Sequence, residues 1–194
     1  NIIRNIILVF PARLTRISIV ILFFLITALQ ILQAQVSPSR EYKIKAIFLY
    51  NFTQFVNWPP SAFSSADAPF VIGIIGKNPF GSYLDETVAG EKIMGHPIII
   101  QHYDNVKDIQ NCQVLFINYN STSQIENVLT VITGHPILTV SDVKNFARLN
   151  GMIRFFIQHN QIRLQVNPVA AKAAGLDISS KLLNVAEIFN PPTQ

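Results

Sequence analysis

Hydrophobic residues recur at three- and four-residue spacings between residues 38 and 57, and this pattern predicts a helix. The helix should end near Asn57, because Pro59 disfavours helical backbone at Trp58. The stretch of residues 51–60, which spans the end of this helix, reads NFTQFVNWPP and contains the only tryptophan of the chain. The positions that define the pattern are Tyr42, Ile44, Ile47, Phe48, Asn51, Phe52, Phe55 and Val56.

Beyond residue 69, short apolar runs alternate with helical patterns. The predicted strands are residues 70–76, 97–102, 113–118 and 137–140. Helical segments are predicted between them, at residues 82–88, at 106–110, from Ser121 or Ser123 onward, and from Ser141 or Asp142 through Ala147. Such alternation is typical of a largely parallel sheet with helices on its faces.

The pattern changes after residue 151. Residues 152–158 and 161–167 flank a polar His159-Asn160 turn, and in the second run Ile162, Leu164 and Val166 alternate with polar residues, which predicts an antiparallel hairpin. Two further helices are predicted at residues 169–174 and 179–189, with Gly175 as a C-cap between them. The predicted fold is therefore a single α/β domain whose mostly parallel sheet is flanked by helices and extended by a C-terminal hairpin.

The N-terminal segment has the three parts of a secretory signal peptide. Residues 1–34 contain three arginines, no acidic residue and an apolar run from Ile17 to Leu32, and they end at Ala34. We expect cleavage after Ala34, so that residues 1–34 are the signal peptide and residues 35–194 the exported domain. An uncleaved membrane anchor is the alternative, although the run of 16 residues falls short of the roughly 20 that a spanning helix needs.

Removal of that segment changes the charge balance. Residues 35–194 contain 12 basic and 11 acidic residues, a net charge of +1, and no basic run with interleaved aromatics. We therefore predict no binding to nucleic acid. The one cysteine, Cys112, cannot form an internal disulfide; it is either a buried apolar residue, which its place before an apolar strand favours, or a route to a disulfide-linked dimer.

No local motif predicts catalysis or a cofactor. The stretch from Gly76 to Ser82 lacks the lysine of a phosphate-binding loop, and no G-x-S-x-G sequence is present. The four histidines have no metal-binding spacing, and Asp85 and Glu86 are typical of a solvated helix face. We predict a non-enzymatic protein without a cofactor or a metal.

Polar residues follow three of the predicted strands. The carboxyl ends of parallel strands gather along one edge of a sheet, so their loops can form a cleft for a small ligand. Asparagine and serine in such loops can equally be turn and N-cap residues. The candidate cleft residues are Lys77, Asn78, Phe80, Asn118, Asn120, Ser141 and Asp142.

Five blocks of the sequence together resemble one family. They read KIKAIFLYNFTQFVNWP, FVIGIIGKNPFG, CQVLFIN, LTVSDVKNFARLNGMIRFF and IRLQVNPVAAKAAGLDISSKLLNVA, and their order is that of the YfiR-like family of periplasmic regulators. The resemblance places Trp58-Pro59, Gly76, Phe80-Gly81, Gly151 and Asn167 on family motif positions, where they read as determinants of the fold.

The resemblance implies a periplasmic repressor that binds the sensing domain of an inner-membrane diguanylate cyclase and keeps cyclic-di-GMP low. Other members resemble accessory proteins of membrane sensor kinases. This sequence departs from the namesake branch, in which disulfides help to hold the fold, because it contains only Cys112. Redox control through an internal disulfide is thereby excluded.

The resemblance gives the end of the first helix a second interpretation. Its apolar stripe is wide, as expected for a helix shared between a sheet and a partner, although a large aromatic helix can also pack deep in its own domain. We predict that Tyr50, Phe55, Trp58 and Pro59 contribute to a protein surface, in a homodimer or with the membrane partner.

Three functions remain open on the sequence. The first is a regulatory binding protein that represses a diguanylate cyclase. The second is a small-molecule-sensing accessory protein of a membrane histidine kinase, which would use the strand-end cleft. The third is an enzyme of unrecognised type.

Overall fold

The computed structural model describes residues 38–191, with side chains from residue 40. The predicted signal peptide and its cleavage site after Ala34 lie outside these residues. Within the described part of the chain, no helix is both long and apolar enough to cross a bilayer.

The first helix, α1, covers Pro38–Phe55, and its end agrees with the break expected from Pro59. The other helices are α2 (Tyr83–Val88), α3 (Thr122–Val131), α4 (Pro168–Ala173) and α5 (Ser180–Leu183), and 3-10 turns cover Pro60–Ala62, Val106–Asp108 and Phe146–Leu149. The strands are β1 (Val56–Asn57), β2 (Phe70–Gly76), β3 (Lys92–Ile93), β4 (His96–Tyr103), β5 (Val114–Asn118), β6 (Leu138–Ser141), β7 (Ile153–Gln158), β8 (Gln161–Val166), β9 (Asp177–Ile178) and β10 (Glu187–Ile188).

Among residues 38–191, eight strands form one sheet in the order β10-β8-β7-β6-β5-β2-β4-β3. Five neighbouring strands of the sheet run parallel, namely β4, β2, β5, β6 and β7. Strand β8 is antiparallel to β7, and β3 is antiparallel to β4. The α/β fold with flanking helices and an added hairpin is thus confirmed. The sheet as a whole is mixed rather than mostly parallel.

Strand β2 lies inside the sheet because nearly all of its side chains are apolar and buried. Strands with both faces covered are continuous hydrophobic runs, and FVIGIIG is such a run. The strand ends at Gly76, whose φ is 88°. A Cβ atom there would collide with the Asn118 carbonyl group of the neighbouring strand, so glycine allows the two strand ends to approach.

The sheet separates two hydrophobic cores. On one face, Phe70, Ile72 and Ile74 of β2 pack with buried residues of α1 and α2. On the other face, Val71 and Ile75 pack with the buried residues of α3. The result is a three-layer arrangement of helices, sheet and helix.

The predicted hairpin is present as β7 and β8, with Gln158 opposite Gln161. His159 and Asn160 form its two-residue turn with φ values of 49° and 59°. Positive φ at both positions is the geometry that suits the twist of a tight hairpin.

Two predicted helices are wrong in extent. Ser141 ends β6, and the chain then forms only the short Phe146–Leu149 turn instead of a helix through Ala147. The helix predicted over residues 179–189 is limited to α5, since Glu187–Ile188 pairs with β8 as the edge strand β10. A second, two-stranded sheet of β1 and β9, which the sequence pattern did not predict, joins Val56 to Ile178.

Candidate functional site

The loops after β2 and β5 meet at the carboxyl edge of the sheet, as predicted. The Asn118 side-chain amide donates to the Lys77 carbonyl at 2.8 Å, and the Lys77 N–H donates to the Asn118 carbonyl at 3.4 Å. The Lys77 side chain and Asn120 are exposed, and Asn78 is half-buried. The Asn118 side-chain amide, which was expected to face a ligand, therefore bonds the neighbouring strand end instead.

Two predicted cleft residues lie in the interior. Phe80 is 1 % exposed and packs edge-on against Phe116, with ring centroids 4.8 Å apart. Ser141 is fully buried, and its hydroxyl donates to the Ile117 carbonyl at 2.7 Å. Both residues therefore hold the fold rather than line an open cleft, because their side chains are already surrounded by protein.

The seventh predicted residue, Asp142, belongs to a charged cluster that joins β6 to α1. Its Oδ2 atom accepts hydrogen bonds from Lys45 Nζ at 2.7 Å and from the Tyr42 hydroxyl at 2.9 Å. Lys45 Nζ also lies 2.5 Å from Glu41 Oε1. Lys45 itself is only 2 % exposed, so its charge depends on these two carboxylates.

Sequence reasoning did not identify Lys45, because it lies within an apolar helix pattern. The i,i+4 spacing of Glu41 and Lys45 was the one local signal of an ion pair. Burial, and after it the charge of Asp142, raise the pKa of the Tyr42 hydroxyl, which therefore stays protonated and donates to Asp142. The cluster can fix α1 on the sheet. Residues 38–191 contain no group of three or more histidine, cysteine or acidic residues placed to hold a metal ion.

Trp58 is a core residue, contrary to the expectation of an exposed anchor. Its side chain is 5 % exposed and packs edge-on against Phe70 at a centroid distance of 5.0 Å. The indole N–H donates to the Gln113 carbonyl at 3.2 Å. Because both its ring and its polar atom are satisfied internally, the Trp58 side chain cannot contact a partner in this conformation.

The remaining predicted partner residues are partly accessible. Tyr50, Phe55 and Pro59 are half-buried, and the first two also pack against the core. The Tyr50 hydroxyl donates to Glu91 Oε2 at 2.8 Å, which links α1 to the segment before β3. A partner-binding role for these three residues stays a prediction.

The outer face of α1, defined here as Lys43, Ile47, Tyr50 and Gln54, is the accessible side of the helix. Ile47 is 51 % exposed although the hydrophobic pattern placed it on the core side. Three residues beyond Glu91, Met94 is 70 % exposed at the β3–β4 turn. The Tyr50–Glu91 hydrogen bond links α1 to the segment that leads into β3 and the β3–β4 turn. Methionine is over-represented at adaptable protein-binding surfaces, whereas single exposed apolar residues are an ordinary feature of protein surfaces.

An open groove of about 710 Å³ lies between α3, the Phe146–Leu149 turn and α4. Apolar residues Met152 and Val169 and polar residues His135 and Arg148 are among those that line it. Sequence reasoning missed this groove, since its walls come from segments that are far apart along the chain.

Cys112 is buried, as expected, at 3 % exposure. Its thiol lies 3.0 Å from the Val114 carbonyl, and burial raises its pKa to about 12. A protonated, inaccessible thiol is a poor nucleophile and is unsuited to disulfide formation.

The YfiR/HmsC-like family model matches residues 42–187, from the second turn of α1 to the last described strand. The chain belongs to the YfiR/HmsC-like family. The match includes α1 from Tyr42 onward, Lys45 and Asp142, and the whole eight-stranded sheet except the end of β10. No curated protein matches the chain significantly.

Proposed function

We propose that this YfiR/HmsC-like protein is an exported periplasmic regulator that represses an inner-membrane diguanylate cyclase and so lowers cyclic-di-GMP. The observation that carries the proposal is the family match over residues 42–187. Residues 1–34 would direct export as a cleavable signal peptide. The regulator would act as a homodimer.

The binding surface for the cyclase, in this proposal, is the outer face of α1 together with Met94. Ile47 and Met94 supply exposed apolar contact area, and Tyr50 supplies an aromatic ring with a polar end. The buried Lys45 cluster supports the assignment, because it fixes α1 on the sheet and so presents its outer face without a large loss of conformational entropy on binding. Phe55 and Pro59 extend the same surface.

The polar groups at the strand ends favour a binding role over catalysis. Asn118, Ser141 and Asp142 each use a side-chain polar atom in a bond to another part of the domain. Polar atoms that already bond another part of the domain are less available to a substrate. The half-buried Asn78 is also bonded within the domain, since its side-chain oxygen accepts a hydrogen bond from the Phe80 N–H at 2.9 Å.

The test is deletion of the gene followed by measurement of intracellular cyclic-di-GMP. We expect the level to rise, to return on complementation, and to stay unchanged when every diguanylate cyclase with a periplasmic domain is also absent. Affinity capture of the tagged protein from detergent-solubilised membranes should retain one such cyclase. An unchanged cyclic-di-GMP level in the deletion strain would contradict repression.

The groove beside α4 favours a second candidate function, a small-molecule-sensing accessory protein of a membrane histidine kinase. Its volume of about 710 Å³ is within the range of roughly 300–1,000 Å³ that is typical of small-ligand sites. Under this alternative, the same affinity capture should retain a sensor kinase, and deletion should change phosphorylation of its response regulator rather than cyclic-di-GMP.

A further inference from the structure

Strand β4 has one edge that is mostly unpaired. Along one side it pairs with β2 from Ile98 to Tyr103. Along the other side β3 pairs only with His96 and Pro97, and the Ile98 N–H reaches the Glu91 carbonyl at 3.1 Å. Residues 99–103 therefore form an open edge of the sheet.

The backbone groups that face this edge can be assigned from Ile98. Hydrogen-bonding groups alternate from side to side along a strand, so Ile100 and His102 direct their N–H and C=O groups the same way as Ile98. Within the described residues, no backbone group outside β2 bonds to either of them. The side chains of Ile99, Gln101 and His102 are exposed, whereas Ile100 is half-buried and Tyr103 is buried.

The open edge lacks the features that normally prevent pairing. Natural edge strands are blunted by charged side chains, prolines or bulges. Residues 99–103 read IIQHY and contain no lysine, arginine, acidic residue or proline. Ile99 is 41 % exposed on it. An edge of five residues without an acidic residue, lysine, arginine or proline is suited to pairing with another strand.

The extent of the free edge matches a second copy of the same strand. A two-fold axis at Gln101 places Ile99 opposite Tyr103 of the second copy and Ile100 opposite His102. Each strand then ends where the Glu91 carbonyl already occupies the edge of the other copy. Because symmetric pairing uses the whole free edge of both copies, a second copy of the chain is the simplest partner for this edge.

The charges at the two ends of the edge are complementary under the same symmetry. Lys92 is exposed on β3 at one end, and Asp104 is exposed just past Tyr103 at the other end. The two-fold axis brings Lys92 of one copy near Asp104 of the other, once on each side. Glu91 lies beside Lys92, and its carboxylate accepts the Tyr50 hydroxyl.

We propose that two copies of the chain join by antiparallel β4–β4 pairing centred on Gln101, which makes one continuous sheet across the dimer. Ile100 and His102 exchange backbone hydrogen bonds across the axis, and the two Gln101 residues face each other as a non-hydrogen-bonded pair. This proposal rests on one part of the proposed function, namely that the regulator is a homodimer. It does not rest on the identity of the membrane enzyme.

A cysteine at the axis tests the geometry directly. Directly opposed residues in a non-hydrogen-bonded pair have Cα atoms about 4.5 Å apart, within the range of roughly 4.4–6.8 Å that a disulfide needs. The full chain carrying Gln101→Cys is produced in cells that lack diguanylate cyclases, and the envelope is treated with copper(II)–phenanthroline and dioxygen. Oxygen accepts the two electrons and two protons lost by the two thiols.

We expect a covalent dimer on a non-reducing gel that disappears on reduction. Gln161→Cys, at an exposed glutamine of the β7–β8 hairpin, is the matched control, and the buried Cys112 is common to both variants. Equal cross-linking of the two variants would overturn the proposal. Since no cyclase is present, this failure would leave cyclase repression standing.

Gln101→Lys supplies a second, non-covalent arm. Two lysines directly opposite each other repel, so light scattering should report a dimer mass for the wild type and for Gln161→Lys but a monomer mass for Gln101→Lys. Unchanged circular dichroism would show that the fold is intact. A monomeric wild type overturns the proposal. If the wild type is monomeric and Gln101→Lys nevertheless impairs repression, the β4 edge binds a strand of another protein instead of a second copy.

Discussion

Lys45 Nζ lies 2.7 Å from Asp142 Oδ2 and links the third turn of α1 to the residue after β6, 97 residues further along the chain. The Lys45 side chain is 2 % exposed, whereas the side chains of Glu41 and Asp142 are 18 % and 22 % exposed. The cation is thus the component that relies on the protein for solvation. The carboxylates keep some access to water.

Lys45→Ala should lower the free energy of unfolding by about 3 kcal/mol, because it removes the counter-charge of two carboxylates and leaves a void. Lys45→Met fills the same space without the charge and should cost less. Both losses are measured by urea denaturation. Lys43→Ala, on the same helix, removes only a cation over the Tyr83 ring at 4.1 Å and should cost about 0.5 kcal/mol. Equal losses for Lys45→Ala and Lys43→Ala would show that the cluster is not a stabilising link.

Trp58→Ala should destabilise the domain by about 3–5 kcal/mol, since a buried indole is replaced by a cavity. Trp58→Phe keeps most of the ring volume but loses the hydrogen bond to the Gln113 carbonyl, so a loss of about 1 kcal/mol is expected beyond that of the smaller ring. Thermal and chemical unfolding of both variants check the order. A Trp58→Ala variant with wild-type stability would contradict the core position.

Local patterns were sufficient for much of the fold. The predicted strand at residues 70–76 has the observed bounds of β2, and the hairpin around His159 and Asn160 is present, because an apolar run and a tight turn are encoded by neighbouring residues. The segment 179–189 was wrong as one helix. Its end becomes β10 only through pairing with β8, a long-range contact that competes with local helical propensity.

The candidate site was less predictable for the same reason. Trp58 is buried because it meets Phe70 and Gln113, which are distant in sequence. Lys45 is a buried cation only because Asp142 lies opposite it. Neither relationship leaves a periodic signal in the sequence near the residue itself. The exposure of Ile47 is different, because helical periodicity can in principle predict which face of α1 is exposed, but the apolar stripe of this helix is too wide to show it.

Cys112 predicts a pH dependence. Burial raises its pKa from 9.0 to about 12, so the folded state keeps the proton that the unfolded chain loses above about pH 9. Its contribution is complete below pH 9 and is lost as pH rises toward 12. The slope for one such group is about 1.4 kcal/mol per pH unit. Cys112→Ala should therefore show a shallower loss of stability between pH 9 and 11 than the wild type.

Denaturation at a series of pH values measures this difference. The pKa of the buried Tyr103 is raised first by burial and then by the neighbouring Cys112, so above pH 10 it steepens the loss more in the wild type than in Cys112→Ala. The slope that reports on the thiol alone is therefore the one between pH 9 and 10. Parallel curves for wild type and Cys112→Ala would show that the thiol does not titrate differently in the two states.

Ile47→Ser should separate binding from stability. Ile47 is 51 % exposed on the outer face of α1, so replacing it should change the free energy of unfolding by less than about 1 kcal/mol. If this face binds the cyclase, loss of an apolar anchor should weaken association by about 2 kcal/mol, a roughly thirtyfold rise in Kd. Binding of the purified regulator to the immobilised periplasmic domain of the cyclase gives this value.

Val131→Ser is the matched control, because Val131 is 47 % exposed on α3 and lies on the opposite side of the sheet from α1. It removes a similar exposed apolar side chain and should leave Kd within about twofold of the wild type. Cyclic-di-GMP should accordingly rise in cells carrying Ile47→Ser and stay low in cells carrying Val131→Ser. If the two variants bind the cyclase domain equally well, the partner surface lies elsewhere, and the exposure of Ile47 is an ordinary feature of a protein surface.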